Sequence, residues 1–105
     1  MEPKSRRAQL EQMLAAEPGD PFLRYAVALE LAREGNAQEA VTALSALITD
    51  RPEYVPAYFQ AGQILTAEGD TARAAELLRS GIAAARAQSD SHAAEEMSLL
   101  LAQIE

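Results

Sequence analysis

The side chains here with the chemistry to act on a substrate are the hydroxyls of Thr42, Ser45 and Ser80, the imidazole of His92 and the adjacent carboxylates Glu95 and Glu96. A catalytic hydroxyl needs a base within hydrogen-bond reach and a donor for the developing oxyanion. These hydroxyls fall inside helix-forming stretches, and the sole histidine is far from them along the chain. Neighbours on a helix point about 100° apart, so Glu95 and Glu96 cannot face one another as acid and base and read as a solvated face. There is no cysteine, which removes thiolate chemistry and disulfides, and one histidine cannot build a zinc site with its own neighbours. Glycines stand singly as helix stops, with no loop to cradle phosphate. The pattern argues against an enzyme and calls for neither metal nor cofactor.

What must position any functional side chain is a helical repeat. Gly35-Asn36 and Gly69-Asp70 stand 34 residues apart, as do Ala40 and Ala74, Leu44 and Leu78, and Ile48 and Ile82. Such a period marks stacked supersecondary units. Glu17-Pro18-Gly19 ends a first helix over 5–16, which carries Leu10, Met13 and Leu14 on one side. Asp20 and Pro21 then form a helix start, and Gly35 a stop. Between them run Leu23, Val27, Glu30 and Leu31. Asn36, with Glu39 three residues on, predicts a reciprocal cap for the next helix, which bears Ala40, Leu44, Leu47 and Ile48 and ends before Pro52. The pattern recurs: Tyr58, Ala61, Gly62 and Leu65 before Gly69, then Ala74, Leu77, Leu78 and Ile82 after Asp70. Repeat 1 thus spans 21–52 and repeat 2 spans 55–88.

The six identities between the repeats are Leu31/Leu65, Glu34/Glu68, Gly35/Gly69, Ala40/Ala74, Leu44/Leu78 and Ile48/Ile82, all at packing, cap or turn positions. Small residues at Ala28/Gly62 and Ala40/Ala74 let paired helices approach closely. The period aligns Leu10 with Leu44 and Pro18 with Pro52, so the first helix is half a repeat, capping the array. A terminal helix over 91–104 fits only after a two-residue shift that matches Met97 to Ala61 and Ser98 to Gly62. The helix before it therefore runs on to Gln88, with residues 89–91 as the joint.

Length and charge narrow the partners. At 105 residues the chain supports one domain, 1–105. It is 49% apolar but only 5% aromatic, a helix-forming composition, and its net charge of −7 repels phosphate backbones and acidic lipids alike. Nucleic acid and membrane are therefore not expected partners. The start, MEPKSRRAQLEQ, has no apolar run behind it, and nowhere do about 18 uninterrupted apolar residues occur, so an unexported, cytoplasmic protein is expected.

The positions Tyr58, Ala61, Gly62, Leu65, Gly69-Asp70, Ala74, Leu78 and Gly81, with Val27, Ala28, Leu31, Gly35-Asn36, Ala40, Leu44 and Pro52, make nearly the whole chain resemble the tetratricopeptide repeat (TPR) family. It departs from that pattern at Arg24, where the family has a large aromatic, at Leu47, where it has alanine, and at Arg86, where it has proline. The resemblance implies an all-α, right-handed stack of antiparallel helix pairs, two full repeats flanked by a capping helix at each end. It also implies a concave groove that binds a peptide or protein segment. The groove positions would be Phe22, Tyr25, Leu29 and Arg33, then Phe59, Gln63 and Ala67, then His92, Glu95 and Leu99. Tyr25 and Phe59 are equivalent rungs, either anchors for a partner or fillers of a short array. Arg33 also reads as a solvated cation at a helix C-terminus, and His92 as an ordinary surface residue. The carboxylate-clamp positions of some chaperone-binding members hold Tyr25, Leu29 and Gln60 here, so that specificity is not expected. The competing expectation is a self-associating module, a monomer or weak homodimer pairing through the terminal run Leu99-Leu100-Leu101.

Overall fold

The computed structural model describes residues 5–105; residues 1–4, counted in the domain on sequence, lie outside the described residues. Six helices follow one another: α1 (Arg6–Ala16), α2 (Pro21–Arg33), α3 (Ala37–Asp50), α4 (Val55–Ala67), α5 (Thr71–Ala87) and α6 (Ser91–Ile104). Among the described residues there is no strand.

Local chemistry explains where the helices begin and end. Ser5 accepts the Ala8 N–H at 3.0 Å, Asp20 the Leu23 N–H at 3.1 Å, Asp70 the Arg73 N–H at 3.2 Å and Asp90 the Ala93 N–H at 3.1 Å. Each satisfies an amide that the first turn leaves without a carbonyl. Asn36 departs from the reciprocal cap expected of it, since its side chain makes no capping hydrogen bond. Its backbone angles (φ −93°, ψ 62°) are close to those of Asp70 (φ −91°, ψ 71°), so the difference lies in the side chain. A neutral amide lacks the attraction of a carboxylate to the positive end of the helix.

The corners share one geometry. Gly35 and Gly69 have φ of 88° and 84°, and the following residue reaches back, Asn36 N–H to Leu31 C=O and Asp70 N–H to Leu65 C=O, both at 2.9 Å. Ser89 repeats it between α5 and α6, with φ 59° and the Asp90 N–H donating to Ala85 C=O at 2.8 Å. Glycine enters this left-handed region freely, whereas serine bears a Cβ that crowds the following carbonyl.

Each helix packs on the next in sequence, and beyond those neighbours the backbones of α2 and α4 and of α4 and α6 come close, while those of α1, α3 and α5 stay farther apart. The stack is therefore curved, with α2, α4 and α6 on its inner side. Its extents, 48 × 28 × 20 Å, are those of a short rod. The interior alternates large and small residues: Val41, Leu44, Leu47, Leu65, Leu78 and Met97 are fully buried, as are Ala28, Ala40, Ala57, Ala61, Ala74 and Ala85.

Two glycines set the helix spacing. A Cβ at Gly62 would lie 2.7 Å from Leu78 Cδ2, and one at Gly81 would lie 2.5 Å from Tyr58 Cβ and 2.6 Å from Met97 Sδ. The leucine tip can rotate, but Tyr58 Cβ is fixed to its backbone. Gly81→Ala should therefore cost about 2 kcal/mol in urea unfolding, as overpacked cores do, and more than Gly62→Ala. Ser89→Gly should raise stability by about 1 kcal/mol in the same assay, by relieving the left-handed strain.

Candidate protein-binding groove

Between α4 and α6 the inner surface opens into a trough. At one end a cavity of about 180 Å³ is lined by Val55, Pro56, Phe59, Asp90, Ala93 and Glu96. Beside it lies one of about 300 Å³ lined by Phe59, Gln63, Glu96, Leu99, Leu100 and Gln103. Phe59 and Glu96 line both, so the two adjoin along the α4–α6 seam. Leu99 is 67% exposed, an unusual state for so large an apolar side chain on an ordered helix. Phe59 is half-buried, its ring packed against the core cluster that includes Val55, Tyr58 and Met97.

The structure brings together Phe59, Gln63 and Leu99 of the expected groove residues and disperses the others. Tyr25 is packed: its ring meets that of Tyr54 edge-on, with centroids 5.6 Å apart and planes at 83°, over the cluster Ala28, Leu44, Leu47, Ala57 and Ala61. Leu29 is half-buried on α2. Arg33 is exposed, with Nη1 3.7 Å from Glu30 Oε1. Phe22, 63% exposed, lines a different cavity between α1 and α2 with Met13, Asp20 and Leu23. His92 and Glu95 line neither part of the trough, and His92 Nε2 lies 2.6 Å from Glu96 Oε1.

Glu96, Leu100 and Gln103 were missed as lining residues. The signal was present, because 96, 99, 100 and 103 are spaced as one face of a helix. Carrying the register forward from the preceding repeats pointed to Glu95 instead, one residue off.

The catalytic candidates gain nothing from the fold. Ser45 and Ser80 share a polar cavity with Arg73, Glu76, Leu77 and Arg79 on the α3 and α5 side, and His92 is not part of it. Among the described residues no group of His, Cys, Asp and Glu could hold a metal ion.

The family model described as tetratricopeptide repeat matches residues 31–104. The chain belongs to the tetratricopeptide repeat family. A tetratricopeptide repeat domain protein from Salinibacter ruber, solved in solution, aligns with a TM-score of 0.80 at 30% identity, over 84% of this chain and 89% of that one. The crystal structure of the Salinibacter ruber domain gives 0.75 at 28%, over 81% and 94%. A Bordetella parapertussis protein solved in solution gives 0.83 at 27%, over 97% and 89%. No curated protein matched. TPR domains are generally protein–protein interaction modules and typically non-catalytic.

The tyrosines of this TPR array offer a check on its packing. Burial pushes the hydroxyls of Tyr25, Tyr54 and Tyr58 above their ordinary value of 10.0; a hydrogen bond with Gln60 partly opposes this at Tyr25, while the charge of Glu53 adds to it at Tyr58. A phenol that ionises less readily folded than unfolded contributes stability that is complete below pH 10 and lost as pH rises through the folded value. Unfolding free energy by urea should hold level up to about pH 9 and fall above about pH 10, and Tyr25→Phe should make that fall shallower.

Proposed function

We propose that this TPR array is a non-catalytic adaptor that holds a segment of another protein along its inner side, principally in the α4–α6 trough. The observation that supports the reading is the pair of adjoining cavities that share Phe59, the second lined by the half-buried Leu100 and the exposed Leu99. A rigid aromatic beside an exposed leucine suits anchoring of a partner's apolar side chain, while Gln63 and Gln103 offer donors and acceptors to its backbone. The positions lie on two helices, α4 and α6, that both pack on α5, so the site is largely preformed and loses little entropy on binding.

Self-association has narrower support. Leu100, Leu101 and Ile104 pack on the core, leaving Leu99 as the exposed member of the terminal run. The reading is accordingly a monomer or weak homodimer that engages a foreign chain. It includes a cytoplasmic setting, and excludes nucleic-acid and membrane partners on the strength of the net charge of −7; among the described residues no helix is long and apolar enough to cross a membrane.

A partner recovered from the native host and then titrated into the isotope-labelled chain should shift backbone resonances along α4 and α6. Phe59→Ala together with Leu99→Ala should weaken binding about tenfold or more with helicity retained. Shifts confined to α3 and α5 would overturn the assignment.

A further inference from the structure

The trough has a sign. Its two ionisable groups are the carboxylates Asp90 and Glu96, and no lysine or arginine lines either part of it. Asp90 uses Oδ1 to cap α6, and Glu96 Oε1 meets His92 Nε2, so each keeps a second oxygen for another donor. Between and beyond these charges lie Phe59, Ala93, Leu99 and Leu100. His92, which meets Glu96 and does not line the trough, is 85% exposed. The whole chain reinforces the local field, with a net charge of −7.

Resting on the reading of this trough as the binding groove, we propose that its partner is a basic amphipathic segment. One or two bulky apolar side chains of that segment seat against Phe59 and Leu99, and flanking lysines or arginines face Asp90 and Glu96. Charge complementarity selects this occupant over two others. An acidic segment would set like charges against both carboxylates at close range. A second copy of this chain would bring seven further net negative charges to an already negative surface. The apolar contacts hold the partner, and the carboxylates raise its capture rate and reject acidic competitors.

Three synthetic peptides test this with the full chain by isotope-edited chemical-shift titration: acetyl-KKLFKK-amide, acetyl-EELFEE-amide and acetyl-KKSSKK-amide. The first should shift amides of α4 and α6 around Phe59, Glu96 and Leu99, and bind about fivefold or more tightly than either of the others. Glu96→Gln should weaken it about threefold, and Asp90→Asn with Glu96→Gln about tenfold, with the amide shifts of α6 beyond its first turn unchanged in the free double variant to show that the helix is retained. Salt at about 1 M, where the screening length is about 3 Å, should reproduce most of that loss. Equal or tighter binding of EELFEE at the same residues sinks the charge preference and leaves the groove reading standing. Shifts centred on α3 and α5 sink both. Absence of binding by KKLFKK at millimolar concentration, or indifference to the two substitutions, rejects the basic partner.

Discussion

Three helices meet at Gly81, and the absence of a side chain there is the constraint from which the carboxy-terminal half of the molecule follows. Tyr58 of α4 and Met97 of α6 both occupy the space a Cβ would need. Because Met97 reaches the backbone of α5, α6 docks deeply enough to contact α4 as well as α5, and the seam between α4 and α6 becomes the trough. The same closeness buries Met97 completely and lets Tyr58 donate its hydroxyl to the Pro52 carbonyl at 2.7 Å. One small residue thus ties a core contact, a corner and a surface together.

The first repeat solves the same packing problem with opposite sizes. In place of Tyr58 and Gly81 it has Arg24 and Leu47, each 34 positions earlier. Leu47 is wholly buried, while Arg24 turns its guanidinium to Asp50, with Nη1 2.8 Å from Oδ2. Bulk has moved from the first helix of the pair to the second. These two departures from the family pattern compensate one another, and this is why neither disturbs the stack.

Most of the architecture was legible because a repeat states each packing rule twice. Gly35 and Gly69 advertise the corners, and the joint at residues 89–91 could be placed although serine stands at its left-handed position. The site was less legible. Tyr25 and Phe59 are equivalent in register, yet Tyr25 is closed over by Tyr54, whereas Phe59 faces a seam, and only the neighbouring chain decides between those fates. Glu95 and Glu96 differ by one residue, a rotation of about 100°. In a helix whose register has already been shifted by two, carrying the repeat forward does not fix the facing to that precision; the helix's own 96, 99, 100, 103 spacing does. Asn36 shows the same limit at a cap, where the right residue type stands in the right place without making the bond.

The two ends of the array are fastened by different forces. α1 contributes one buried side chain, Leu10, with Leu14 packed beside it, and adds the ion pairs Arg6 to Glu30 and Arg7 to Glu34 to α2, both at 2.9 Å. α6 is seated on Ala94, Met97 and the leucines behind them, with Arg79 and Glu105 as the ion pair near its end. Exposed ion pairs fade with ionic strength while apolar contact does not. Brine therefore weakens the exposed Arg7–Glu34 fastening more than the apolar seat of α6, so the two ends of the rod answer differently to the same solution without any hinge built for the purpose.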